Sequence, residues 1–256
     1  MDKKSLIYWF SGTGNSLYAA KRLSAELGGL PLVQITNEAP TGAVGGEGAK
    51  IGFVFPSYYG NLPRAVRVFV EKLEIKSGTY IFAIVTMGAA GQGSVGSMDR
   101  VLKAKGLRLD YGRGMHMPAN YVLMYNPADP GKSGKTLDKA DQRLHDHAAK
   151  ISARIRTVKS LPITAKNLYK NIESLDAGFN VNSECTNCGL CERICPVRNI
   201  RLENGKPKWL NRCEHCVACI SWCPAKAINF GNKTQNRRQY RNPRVIADEL
   251  VRQGDV

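Results

Sequence analysis

The chain has 256 residues, 43% of them apolar, enough for one ordinary core with roughly 60 to 100 residues to spare, which suggests a larger domain and a small one. Its 37 Lys and Arg against 21 Asp and Glu leave a formal charge of +16, a balance that speeds encounters with acidic proteins, anionic surfaces or nucleic acid, although a solvated basic surface gives the same count. No apolar run reaches the roughly 18 residues of a membrane span and no cleavable leader pattern follows Met1; all eight cysteines fall between Cys185 and Cys223, so thiols do not staple the larger domain, and a reducing, cytoplasmic setting is expected.

Short apolar runs at 6–10, 51–55 and 80–86 are each followed by a Gly- or Pro-rich turn and then a helical pattern, which reads as βα units around a parallel sheet. Leu17, Ala20, Leu23 and Leu27 carry the first helix, Val66, Phe69, Val70 and Leu73 the second, and Val95, Met98 and Leu102 the third. Pro63 suits the first turn of the second helix. Strand candidates at 31–36 and 107–117 bring the sheet to five. An irregular stretch, 118–136, is long enough to be functional. A long amphipathic helix is predicted over 137–158, with Leu137, Ala140, Leu144, Ala148, Ile151, Ile155 and Val158 on one face. The larger domain thus spans 1–160. A connector with a short helical stretch follows at 161–177, then a cysteine-rich unit at 178–232 and a basic tail at 233–256 containing Lys233, Arg237, Arg238, Arg241 and Arg244.

The cysteines form a repeat. Cys185, Cys188, Cys191 and Cys195, ending in Pro196, recur 28 residues later as Cys213, Cys216, Cys219 and Cys223, ending in Pro224, and Ile200 and Ile228 keep the same offset. Two-residue gaps let one tight loop aim three sulfurs at a single [4Fe-4S] cluster, while the fourth cysteine, after a turn, points to the neighbouring one. The expected ligation is therefore crossed: Cys185, Cys188, Cys191 and Cys223 for one cluster, Cys213, Cys216, Cys219 and Cys195 for the other. A pair of zinc ribbons is the rival reading, but zinc asks for ligands in two pairs. His215, between two of these cysteines, is expected to be a surface or supporting residue and not a ligand.

The first strand ends in Ser11-Gly12-Thr13-Gly14-Asn15-Ser16 and passes directly into a helix. A phosphate here would meet unpaired backbone N–H groups, the positive end of the helix and the hydroxyls of Ser11, Thr13 and Ser16, with glycines permitting close approach. A tight turn capped by a hydroxyl side chain is the simpler alternative. Ser11, Thr13, Gly14, Asn15 and Ser16 match the FMN-phosphate loop of flavodoxins, and the resemblance to that family runs over roughly residues 4–160. It implies an α/β flavodoxin-like fold, a doubly wound five-stranded parallel sheet, with FMN at the carboxyl ends of the strands. Two further turns would gather there: Ser57, Tyr58, Tyr59, Gly60 and Asn61 after the third strand, and Thr86, Met87, Gly88 and Ala89 after the fourth. Either Tyr58 or Tyr59 could stack on the flavin ring; ordinary loop packing would also explain the pair. With the cysteine repeat read as a small α+β bacterial 2[4Fe-4S] ferredoxin-like domain on the C-terminal side, the chain resembles ferredoxins with an N-terminal flavodoxin domain, found largely in anaerobes. The 118–136 stretch is longer than simple flavodoxins have.

Two motifs point elsewhere. Gly91-x-Gly93-x-x-Gly96 matches a dinucleotide fingerprint but follows the fourth strand, not the first. Gly134-Lys135-Thr136 resembles the end of a phosphate-binding loop but lacks its leading glycine. The reading that follows is an electron carrier holding FMN and two [4Fe-4S] clusters, exchanging electrons with redox partner proteins that present an acidic docking surface, with no catalytic acid or base required. An FMN-dependent oxidoreductase acting on a small substrate, with 118–136 as a lid, is the alternative. A cluster-bearing sensor or nucleic-acid-associated protein, suggested by the arginines of the tail, is a third.

Overall fold

The structure, a computed structural model, describes residues 5–36, 38–89, 91, 93–159 and 176–251. The expected connector lies almost wholly outside the described residues. The larger unit alternates strands and helices: β1 (Leu6–Trp9), α1 (Asn15–Glu26), β2 (Leu32–Gln34), β3 (Val44–Gly45), β4 (Lys50–Pro56), α2 (Arg64–Lys72), β5 (Ile75–Lys76), β6 (Tyr80–Met87), α3 (Gly93–Lys103), β7 (Tyr111–His116), α4 (Pro130–Ser152) and β8 (Thr157–Val158). The principal sheet runs β2-β1-β4-β6-β7-β8, parallel throughout. Its first five strands have the flavodoxin-like order, which reverses direction beside β1 and opens a crevice at the strand ends there.

The sheet is buried on both faces, and the strand period of two divides its side chains between them. Leu6, Tyr8 and Phe10 join Ile81, Ala83 and Val85 on the face covered by α2 and α3. Ile7, Trp9, Tyr80, Phe82 and Ile84 lie on the face covered by α1 and α4. Near-continuous apolar runs are what two-sided burial requires.

Three boundaries differ from expectation. The helix predicted from residue 137 begins at Pro130, because Asp129 caps it by accepting Lys132 N–H at 2.9 Å and Pro130 occupies its first turn. The same helix stops at Ser152: Arg154 takes a left-handed φ of 53°, and Thr157 and Val158 leave the helix to pair with Tyr111 and Gly112 as a sixth strand. Ile155 and Val158 are consequently exposed instead of continuing the buried face. The fifth strand is shorter than 107–117, since Leu107 closes the turn after α3.

The cysteine-rich unit contains β9 (Phe179–Val181), α5 (Leu190–Arg193), β10 (Ile200–Glu203), β11 (Lys206–Trp209), α6 (Ala218–Trp222) and β12 (Ile228–Phe230). β9 and β12 pair antiparallel and tie its two ends together. The duplication extends to the backbone. Asn187 and His215, Gly189 and Val217, and Arg198 and Lys226 all take positive φ, each pair 28 residues apart. Gly189 suits that conformation; the β-branched Val217, at 55°, is strained there. The unit packs onto the larger one, its apolar residues joining both faces of the sheet core.

The tail does not hang free. Arg244 donates to Asp138, Asp141 and Tyr18 at 2.6 Å each, Arg237 to the Val122 carbonyl, and Arg238 to Asn126 and the Pro127 carbonyl. Three arginines of the basic tail thus bind the larger unit, and Arg241 lies over the Trp222 ring.

Candidate functional site

A cavity of about 370 Å³ opens at the carboxyl ends of β1, β4 and β6, within the range of about 300–1,000 Å³ usual for ligand pockets. One end is the 11–16 turn. Gly14, at φ 95°, precedes α1, whose start carries no side-chain cap and no acidic residue in its first turn. The first amides of α1 therefore lack both an intrahelical acceptor and a capping side chain, which suits an anion. Ser11 Oγ accepts the Gly14 N–H at 3.1 Å, Thr13 Oγ1 accepts Asn120 Nδ2, and Ser16 Oγ lies 2.7 Å from Thr86 Oγ1. Ser11 and Thr13 act as acceptors in these bonds, so their hydroxyl protons stay free to donate into the cavity.

Of the fifteen residues expected around a flavin, Ser11, Gly12, Thr13, Asn15, Ser16, Ser57, Tyr58, Tyr59, Gly60, Thr86, Met87, Gly88 and Ala89 line this cavity. Gly14 and Asn61 shape the loops without lining it. Gly14 turns the chain into α1, and Asn61 closes the 58–61 turn through backbone bonds to Tyr58 and caps Leu62 N. The Asn15 side chain is committed to the fold: Nδ2 donates to the Pro118 carbonyl at 3.0 Å, while Oδ1 accepts from Tyr240 and Asn242 of the tail.

Two further walls lie outside those turns: the sequence offers one only as a candidate lid and does not point to the other. The first is 117–125, where Asn120, Tyr121, Met124 and Tyr125 face the cavity. Its approach to the 86–89 turn depends on Gly88, whose Cβ would lie 2.8 Å from that of Ala119. Tyr121 meets Tyr59 edge to face, with ring centres 5.8 Å apart and the two hydroxyls hydrogen-bonded. Burial pushes both phenols up. The second wall comes from the cysteine-rich unit: His215, Cys216 and Val217. Only 3% exposed, His215 is no surface residue. Its Nδ1 lies 3.2 Å from Tyr121 Oη, and its Nε2 is buried without a hydrogen-bond partner among the described residues.

The eight cysteines fall around two small cavities. Cys185, Cys188, Cys191 and Cys223 line the outer one, where Cys188 is exposed. Cys195, Cys213, Cys216 and Cys219 line the inner one, where all but Cys216 are buried. The grouping is the crossed one expected. Among the described residues no three ligand-type side chains close on the point of a single ion; the sulfurs surround a volume. Backbone N–H groups approach at equivalent places in the repeat, Asn199 to Cys195 Sγ at 3.2 Å and Ala227 to Cys223 Sγ at 3.3 Å, with His215 N–H 3.2 Å from Cys213 Sγ. Burial pushes the Cys191 and Cys216 thiols up to about 12 and raises Cys195, Cys213 and Cys219 as well. Thiolates in such surroundings need cationic iron and N–H···S bonds to form, and the residues present fit a cluster in each cavity.

The two units are fastened at the site. Trp222 Nε1 donates to the Gly12 carbonyl at 3.0 Å. Glu214, 3% exposed, accepts the first two amides of α2, Arg64 and Ala65, at 3.0 Å each, and Arg64 returns a bond of 2.7 Å to the Cys213 carbonyl. A carboxylate from the cysteine-rich unit thus caps a helix of the larger one.

Residues 184–228 match the family model of the 4Fe-4S dicluster domain. Two solved structures are similar to the chain, each described as a "putative flavoprotein". The one from Bacteroides uniformis is 17% identical, with a TM-score of 0.34, over 45% of this chain and 92% of that one. The one from Bacteroides eggerthii is 19% identical, with a TM-score of 0.35, over 54% of this chain and 97% of that one. No curated protein matches the chain. No helix among the described residues is long and apolar enough to cross a membrane. The chain joins an α/β unit of flavodoxin-like strand order to a cysteine-rich unit that matches the model of the 4Fe-4S dicluster domain.

Proposed function

We propose that this chain is an electron-transfer protein that holds FMN in the larger cavity and one [4Fe-4S] cluster in each cysteine cavity. One observation carries the reading: Cys216 and Val217 line both the large cavity and the inner cysteine cavity, so the two chambers share a wall one residue thick. When bound, FMN exchanges electrons singly or in pairs and each cluster exchanges one, which lets a single chain serve both kinds of partner. The 11–16 turn would hold the phosphate through amides and neutral hydroxyls. Tyr58, Tyr59 and Tyr121 would bound the ring, and the cysteines, grouped as above, would ligate the iron. Glu214, Trp222 and Gly12 keep the chambers in register, and the outer cavity, with Cys188 at the surface, faces the solvent.

A second reading, reduction of a small substrate at the flavin, is favoured by Met124 and Tyr125, which stand exposed at the cavity mouth.

Anaerobically purified protein tests the proposal. Acid extraction should release FMN, and iron and acid-labile sulfide should be present in the amounts two four-iron clusters require. Stoichiometric zinc, or a chain that binds no flavin, would overturn it. Turnover of a quinone or nitro compound with reduced nicotinamide would favour the second reading.

A further inference from the structure

The positive charge of this chain is not spread evenly in kind. In the tail, Arg244 is paired with the carboxylates of Asp138 and Asp141. The cysteine-rich unit differs. Arg193, Arg198, Arg201 and Arg212, with Glu192, line an open groove of about 480 Å³ on its surface. All four arginines are exposed. Arg193 reaches the Cys188 carbonyl at 3.4 Å and Arg212 the Arg198 carbonyl at 3.1 Å. These neutral contacts orient the guanidinium groups without cancelling their charge. Arg193, Arg201 and Arg212 form no ion pair among the described residues. Among the described residues, Arg193, Arg201 and Arg212 outnumber Glu192, which leaves the groove positive.

The groove adjoins the cysteines. Arg193 lies two residues from both Cys191 and Cys195, and Arg212 directly precedes Cys213. Ile200 and Leu210 provide apolar surface between the charges. Guanidinium groups are weakly hydrated and match carboxylates as planar forks, which suits them to protein interfaces. Among the described residues no buried polar side chain lines the groove, and its neighbouring helix, α5, has only four residues. It therefore lacks the enclosed donors that a small anion needs.

We propose that this arginine groove is the docking face for an acidic electron-transfer protein, seating the partner's surface carboxylates beside the backbone that carries the cysteines. The inference rests on the electron-transfer reading and names the face and the partner's chemistry. The step it serves is the departure of one electron from the reduced chain to a one-electron acceptor, with no proton or group transferred.

The test uses the pre-reduced holoprotein, freed of excess dithionite, and two acceptors sharing one haem: native cytochrome c, which is basic, and succinylated cytochrome c, whose ammonium groups have become carboxylates. One electron reduces each ferric haem to ferrous. The wild type should reduce the succinylated form rapidly, at a rate that falls steeply with salt. The variant R193E/R198E/R201E/R212E, and its milder glutamine counterpart, should slow this reaction at least about tenfold at low salt and flatten its salt dependence, while native cytochrome c is reduced no more slowly. A second readout is free of redox chemistry: binding of the oxidised holoprotein to immobilised succinylated cytochrome c should weaken in the same variants. Unchanged rates and binding overturn the proposal, and so does equal slowing with both acceptors, which would mean that the arginines act on the clusters. Arginine-dependent binding without electron passage supports the docking face and overturns the electron-transfer reading.

Discussion

Gly12 offers the sharpest test of how the two units meet. The sequence suggests that this glycine lets the backbone approach a phosphate, but the structure gives it another neighbour. A Cβ at Gly12 would lie 2.3 Å from the Cys216 carbonyl oxygen and 2.9 Å from Cys216 Cβ, where ordinary contact begins near 3.4 Å. Both obstacles belong to the cysteine loop, so Gly12→Ala must drive that loop and the 11–16 turn apart by about 1 Å. Overpacking of this kind costs about 1–3 kcal/mol, loss of the Trp222 bond to the Gly12 carbonyl adds about 0.5–1.5, and reduced chain entropy returns about 0.4–1. The expected net destabilisation is about 0.5–4 kcal/mol, centred near 2, by the same terms. Denaturant unfolding of the holoprotein measures it, and flash reduction of the flavin followed by the rate at which the clusters bleach should show slowed internal transfer with iron content unchanged. Gly134→Ala is the control. It adds the same methyl to a site in α4 with nothing within 4 Å and should stabilise the chain by up to about 1 kcal/mol. Wild-type stability and transfer rate in Gly12→Ala would refute the reasoning that the units touch at this glycine.

Other perturbations have distinct outcomes. Glu214→Ala removes the shared cap of α2 and strands the amides of Arg64 and Ala65, so it should cost about 1–3 kcal/mol in thermal or urea unfolding, with Glu214→Gln recovering part; wild-type behaviour in both would remove the latch. Cys195→Ser should impair the cluster of Cys213, Cys216 and Cys219 and spare that of Cys185, Cys188 and Cys191, with Cys223→Ser the mirror case in paramagnetic resonance spectra; damage to the same cluster by Cys195→Ser and Cys185→Ser would mean that each run binds its own iron. Burial lowers His147, hydrogen-bonded to Tyr111, to about 4 from an unfolded value of 6.5, so between these values the unfolded chain holds the extra proton and stability falls as pH falls. His147→Gln should flatten that acid limb by up to about 3 kcal/mol, and an identical limb in wild type and variant would place the acid sensitivity elsewhere. Arg244→Ala, which severs the tail from Asp138, Asp141 and Tyr18, should weaken FMN binding as well as lower the melting temperature, because the neighbouring Asn242 supports Thr13 and Asn15; unaltered FMN affinity would make the tail a passive strap.

What could be read from the sequence was local. Apolar runs of period two and helical spacing of apolar residues report burial one element at a time, and they located the five main strands and the helices between them. The cysteine repeat was legible because cluster geometry is written in short gaps. The early start of α4 was missed because residues 130–136 carry no apolar stripe, although Asp129 and Pro130 form a recognisable helix start. The site's remaining walls depend on contacts between distant segments. His215 at Tyr121, Glu214 at α2 and Cys216 at Gly12 are surface matches between separately folding units, and nothing in the periodicity of either unit encodes them. For the tail arginines, sequence gives the charge and not the carbonyls and carboxylates that they meet.

The bonds from Tyr240 and Asn242 to Asn15, and from Asn242 N–H to the Thr13 carbonyl, also set an order of events during synthesis. Some 225 residues separate the partners, which at about 5–20 residues per second is roughly 11–45 s of translation. Through that interval the α/β unit can assemble its sheet from nearby contacts and hold the 11–16 turn through Thr86, Pro118 and Asn120, yet the turn lacks the bonds that the tail supplies. The turn is completed only when residues near 242 have emerged and the cysteine-rich unit has folded against Gly12. On the proposed function, the cofactor site is complete only when both halves exist.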